Sequence, residues 1–425
     1  MRMLSLTRVS RGFSLFDRLV ERRVALLYAA TVLVAGAWKY SILSRYDGGW
    51  ELWNAYIPKT MLLLNGQNPY AAQPWAAPYP PLMFLVLGGI VKLASLGSGP
   101  SLGPVSVVAW DLKVAGLVAD LLLGTIVFYA LRIQKISGLR SLLPPGVLLL
   151  SPGLALSNYF WFHGDIFGYL ILGLSLLAFT MRRTLIGVCL LSMAVAFKLQ
   201  PVLALLLVLV WVVRRVGLSR SLPAILSSVG ILGVGLGLPL ALPGYFGTII
   251  GFNLSYGAGS GMASFTLMNL LNGSLLGLFE TGFSPFQINM VWVAATMAIF
   301  IAILGFVWTR SDRLTPVEIV GIGLLAWLFP LRTLYPYYLV WALVPFLFIA
   351  NVRHVLSLAV GFELLNTFAN WSWGVQPDPF PQMVSAEGYL ATSLIFAAWS
   401  IVGLFFLFRT VNTYSRPHSG LHCPS

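Results

Sequence analysis

The chain is short of charge, and shortest of acid. Of its 425 residues 13 are Asp or Glu and 26 are Lys or Arg, so charged residues make up 9% of the whole. It has two cysteines, Cys189 inside an apolar run and Cys423 near the end. Such a pair supplies no disulfide framework, and neither cysteine belongs to a CxxC motif. HExxH, Walker A and Rossmann glycine patterns are also missing, which argues against soluble-type zinc and nucleotide chemistry. No small-residue cleavage site follows the first apolar run, so that run reads as a retained anchor rather than a signal peptide.

What the chain has in quantity is hydrocarbon. Its residues are 58% hydrophobic and its mean hydropathy is +0.86. Apolar runs of near-span length recur from residue 24 to residue 408. They predict an all-α fold, a polytopic helical membrane protein of about 11–13 transmembrane helices. Candidate spans are 24–44, 81–96, 104–131, 142–160, 165–181, 184–197, 199–213, 222–242, 288–309, 315–331, 336–351, 355–369 and 388–408. The expected organisation is a basic cytoplasmic segment at 1–23, one transmembrane domain at 24–408 and a cytoplasmic tail at 409–425. A net charge of +13 does not point to nucleic acid here. The bases gather in short clusters at span ends, such as Arg132/Lys135/Arg140, Arg182/Arg183, Arg214/Arg215/Arg220 and Arg310/Arg313. That is the mark of cytoplasmic helix ends.

With those clusters inside, the parity of crossings works except at 81–131. Two apolar segments there must make one net crossing. Either 81–96 is short or re-entrant, or the Arg132 cluster faces outward. The extracytoplasmic segments are then a long first loop at 45–80, the Phe160–Asp165 and Lys198–Pro201 turns, a later loop at 243–287, the Arg332–Tyr338 turn and a loop at 370–387. The unusual polar residues, scattered in sequence, fall on one face of the membrane.

In the first loop Trp50, Trp53, Tyr56, Ile57, Met61 and Leu64 recur at helical spacing. This predicts an interfacial helix with its apolar side toward the membrane, kinked at Pro58. The plainer reading of the tryptophans is an anchoring aromatic belt. Asp47 and Glu51 share a helix face. A partly dehydrated carboxylate has a raised pKa and can take a proton from a hydroxyl; the alternative is a cap by Asp47 and a solvated Glu51. His163 and Asp165 at a span end are costly to place unless used, with capping of the next helix by Asp165 as the alternative. Lys198 faces a cavity or an anion, or else snorkels. An outward Arg332 suits a phosphate or a lipid headgroup. Lys113 and Asp120, seven apart on one face, read as structural groups that pair across the bundle, and Glu363 carries no assigned role.

The order of these features resembles the GT-C superfamily of membrane glycosyltransferases that use polyprenyl-phosphate-linked sugars. It is most similar to the GPI mannosyltransferase I type and its prokaryotic polyprenol-phosphate-mannose-dependent relatives. The residues that carry the resemblance span about 20–350. They are an acidic residue in the first loop (Asp47), a G-x-x-P-Y turn (Gly66 to Tyr70), a Tyr79-Pro80-Pro81-Leu82 entry, Lys113 with Asp120, the stretch from Leu150-Ser151-Pro152 to Asp165, the Lys198–Pro201 turn, and a late Arg332, Tyr335, Tyr338, Trp341 series. Two departures stand out. Glu51 rather than an Asp-x-Asp pair accompanies Asp47, and an Ala/Pro/Trp-rich insert separates Tyr70 from Tyr79.

The resemblance implies an inverting transfer of a hexose, mannose first among candidates, from a polyprenyl-phosphate donor to a lipid-linked or glycan acceptor. It implies a GT-C-like arrangement in a cell membrane or an endoplasmic reticulum membrane, with an extracytoplasmic or lumenal active site. Asp47, Glu51 and Asp165 are the catalytic candidates. Lys198, Arg332 and His163 are candidates for the donor phosphate, and Trp50, Tyr70, Tyr79, Gln200 and Tyr335 for the substrate. A divalent cation on Asp47 and Glu51 would lack a third ligand, so no cofactor is expected. Partners are the donor, the acceptor and membrane lipids, and no nucleic acid. The alternatives are a transporter or flippase of lipid-linked sugars, or a non-catalytic subunit of a glycosyltransferase complex.

Overall fold

The computed structural model describes residues 15–46, 49, 52–70, 79–96, 105–155, 158–159, 162–245, 285–328, 338–349, 359–364 and 405. Among the described residues every regular element is helical. Among the described residues three helices are long and apolar enough to cross a membrane: Val20–Arg45, Val105–Ile133 and Leu218–Ala241.

The first two of these form an antiparallel pair. They lie within α1 (Leu15–Arg45) and α4 (Val105–Ile133), and polar contacts join them at intervals. Lys113 donates to the Tyr46 carbonyl. Lys39 pairs with Asp120 at 2.5 Å, both fully buried. Tyr28 donates to Thr125 at 3.0 Å and stacks on Phe128, and Arg132 pairs with Glu21. Lys113 and Asp120 thus share a face because α1 lies along it.

Between α1 and α4 come one turn of π-helix (Leu52–Tyr56), α2 (Ile57–Leu64) and α3 (Pro81–Ser95). Pro58 sits in the first turn of α2, where its missing N–H has no helical partner in any case. The loop helix is not laid out flat for lipid. Leu52, Tyr56, Ile57, Lys59 and Thr60 are buried, and Leu64 packs on Gly88 of α3. With 15 residues, α3 falls short of the ~20 that a crossing takes. Its start adjoins Gly164 through Met83.

The expected continuous span at 142–160 is broken instead. It comprises a 3-10 turn (Gly138–Ser141), α5 (Leu143–Leu149), α6 (Pro152–Ala155) and the placed pair Asn158–Tyr159. Pro144, Pro145 and Pro152 lack the N–H that a continuing helix needs. Pro152 frees the Leu148 carbonyl, and Lys39 approaches it at 3.4 Å. Glu363 accepts from Ser151 Oγ and the Gly153 N–H. Tyr159 then donates to Asp120 at 2.6 Å, so the broken segment runs antiparallel to α4.

The remaining elements are α7 (Asp165–Thr180), α8 (Thr184–Phe197), α9 (Val202–Val216), α10 (Leu218–Leu232), α11 (Pro285–Arg310), α12 (Pro316–Leu328) and α13 (Tyr338–Leu347). α7 runs parallel to α4: Gly116 lies against Phe162 and Ile166, and Gly173 against Leu123. α9 and α12 are antiparallel. Trp211 donates to the Ser311 and Leu314 carbonyls at one end, and a Cβ on Gly323 would fall 2.5 Å from the Ala204 Cα further along. Only glycine allows so close an approach at that crossing.

Helix α12 opens with a capping box. The Thr315 N–H donates to Glu318 at 2.8 Å, while Thr315 Oγ accepts from the Glu318 N–H at 3.3 Å and donates to its carboxylate. Thr315→Ala is expected to lower stability by about 1 kcal/mol, read as a lower melting temperature of the detergent-solubilised chain. An unchanged melting curve would mean that the tertiary packing of α12 holds this end without the cap.

Candidate functional site

At one end of the bundle lie the end of α1 and the starts of α3, α4, α7, α9 and α13, with the ends of α8 and α12. The basic ends Arg132, Arg182/Arg183, Arg214/Arg215 and Arg310 lie at the other. At the first end an ion pair is buried. Asp165 opens α7, and Lys198 follows α8 in extended backbone. The two side chains form a salt bridge, with 4% of the lysine and none of the aspartate exposed. Asp165 stands in the first turn of its helix. One of its oxygens takes Lys198 and the other accepts from Trp341 Nε1 at 3.3 Å, so the anion that Lys198 meets is Asp165.

Aromatic rings close around the pair. The Lys198 ammonium lies 5.1 Å from the Tyr79 ring centroid and 5.0 Å from that of Tyr338, a cation–π contact on each. Gly168 makes room for Trp341, because a Cβ there would sit 2.6 Å from the indole. Tyr79 packs on Tyr56, which meets Phe162 edge-on. Thus the first loop, the turn before α7, the turn after α8 and the start of α13 meet in one place.

Tyr70 lies behind this layer. Its hydroxyl donates to the Tyr79 carbonyl at 2.9 Å, and its ring is edge-on to Phe84 and Tyr245. Asn68 caps the turn by accepting from the Tyr70 N–H and donates to the Pro243 carbonyl. Burial, with Tyr245 adding, raises the Tyr70 hydroxyl well above its ordinary pKa, and burial pushes Tyr245 up to about 12. Both phenols stay protonated, and Tyr70 stays a donor. Its ring is spent on the loop, so it offers no open face for a sugar.

His163 is buried beside Asp165, and Gln200 is 9% exposed. Among the described residues Gln200 Oε1 has no hydrogen-bond partner, nor has either amide atom of Asn158, which is 1% exposed. Asn158 had not been singled out from the sequence; its position one residue before Tyr159, in an apolar stretch, was the available signal. Tyr338 and Trp341 were marked as late-motif residues only. Asp47, Trp50, Glu51, Arg332 and Tyr335 lie outside the described residues. Among the described residues no three His, Cys, Asp or Glu side chains gather as a metal-ligand set.

Chemically the site is a buried carboxylate and ammonium, with an indole donor, between aromatic walls. Such a place can hold charge in a low-dielectric setting and orient a polar group that reaches it. No protein-family model and no curated protein matches the chain.

Proposed function

We propose that the protein is an inverting glycosyltransferase of the GT-C kind, which moves a hexose from a polyprenyl-phosphate to a hydroxyl acceptor on the extracytoplasmic face. The observation that carries this reading is the meeting of two distant motifs. Tyr79 of the first-loop entry lies on Lys198 of the Lys-x-x-Pro turn, which is paired in turn with Asp165.

Depth also supports it. Gly116 of α4 is level with Ile166, and from there to Arg132 the helix rises about 24 Å. With Arg132 taken as one edge of a hydrocarbon core of about 30 Å, the pair would fall near the opposite edge. A lipid-borne phosphate and its sugar reside near that level.

In the reaction the acceptor oxygen attacks the anomeric carbon from the side opposite the phosphate. The carbon–oxygen bond to phosphate breaks, and the phosphate leaves with the electron pair. The hydroxyl proton passes to a carboxylate, for which Asp47 is the first candidate. Lys198, His163 and Arg332 are the candidates to stabilise the charge that grows on the leaving phosphate.

The test is transfer from labelled polyprenyl-phosphate mannose in membranes that hold wild type or Asp47→Asn at equal level. Transfer that collapses in the variant supports the mechanism with Asp47 as base. Transfer that survives moves the base to Glu51 or Asp165. No transfer from any polyprenyl-phosphate sugar by wild type favours a transporter or an accessory subunit.

A further inference from the structure

Two further polar groups, one of them two residues from Lys198, have no hydrogen-bond partner among the described residues. Gln200 Oε1 and Trp327 Nε1 are both buried atoms without a hydrogen-bond partner. Gln200 stands in the turn two residues before α9 begins, and Trp327 one turn beyond Gly323 in α12, so the two fall on the same side of the crossing of these helices. α9 and α12 cross in backbone contact at Ala204 and Gly323. The helices are antiparallel, so four residues before Ala204 and four after Gly323 lie in the same direction from the crossing. Those positions are Gln200 and Trp327. An indole N–H and an amide oxygen are natural partners for each other, yet here each is left alone. An unpaired buried polar atom costs about 1–3 kcal/mol. Two complementary ones at one level call for a group that accepts from the indole and donates to the amide.

We infer that Gln200 and Trp327 clamp one sugar hydroxyl, and so help decide which hexose is accepted. A hydroxyl oxygen accepts from Trp327 Nε1, and its proton is donated to Gln200 Oε1. This rests on the reading of the site as a sugar-transfer site. A clamp of this kind rejects a sugar that lacks the hydroxyl, because the two protein groups are then left bare. Trp327 is a positioning residue here, with no part in the chemistry.

The test uses the full chain in detergent and a short-chain polyprenyl-phosphate mannose, together with analogues that each lack one hydroxyl. Trp327→Phe removes the N–H and keeps an aromatic ring. The expected result is about a tenfold weaker affinity for the full sugar. For a single deoxy analogue the wild type should already bind weakly, and Trp327→Phe should make no further difference. Gln200→Met should single out the same analogue. Equal weakening toward every analogue, or no loss for mannose, overturns the clamp. No binding of any probe by wild type overturns the sugar-site reading itself, and the clamp with it.

Discussion

Lys198→Met is expected to abolish sugar transfer and to destabilise the chain. The Asp165 carboxylate would remain buried, with the Trp341 indole as its remaining donor among the described residues. Removing one partner of a buried pair costs about 3–5 kcal/mol. The single variant therefore cannot separate function from folding. The double variant Asp165→Asn/Lys198→Met can, since it buries no lone charge. It is expected to recover most of the melting temperature, while transfer stays at least about a hundredfold down. Near-normal transfer by the double variant would make the pair a staple and sink the assignment. Lys198→Arg keeps the charge, but a planar guanidinium does not replace a compact ammonium between Tyr79 and Tyr338. Its transfer should fall between wild type and the double variant.

The second large effect belongs to Lys39 and Asp120. This pair is equally buried, but its contacts are α1, α4, Tyr159 and the Leu148 carbonyl. Lys39→Met alone should again cost about 3–5 kcal/mol. Here the double variant Lys39→Met/Asp120→Asn, which keeps an acceptor for Tyr159, should recover most of the stability and the transfer together. Measured side by side, by melting in detergent and by transfer in membranes, the two doubles should differ in transfer alone. If the Lys39 double stays inactive while folded, this deeper pair also serves the reaction, and the division drawn between them fails.

The helices were legible where apolar runs are bounded by Arg or Pro, as at Arg45 and Pro81. The run at 142–160 misled because average hydropathy outweighed Pro144, Pro145 and Pro152, although their missing N–H groups were written in the sequence. Partners were harder to read. Periodicity placed Lys113 and Asp120 on one face, but a single-helix pattern does not name α1 as what lies opposite. Lys39 passed unremarked inside an apolar run, where a lysine is itself a signal. The Thr315-Pro316-Val317-Glu318 box was a plain start signal for α12 and was not used. At the site, Asp165, Lys198 and Tyr79 came from local motif chemistry. Trp327 and Asn158 did not, because an unmet hydrogen bond exists only once the neighbours are known.

The broken segment between α4 and α7 depends on partners outside itself. Neither α5, with seven residues, nor α6, with four, is long enough to partition into a bilayer as a unit. Its proline-freed carbonyl at Leu148 finds Lys39, and its Tyr159 finds Asp120, on helices synthesised earlier. α1 and α4 thus supply the partners that this segment lacks within itself, and its Ser151–Gly153 corner takes Glu363 from 210 residues further along the chain. The break is held from two sides, by helices that precede it and by a carboxylate that follows at long range.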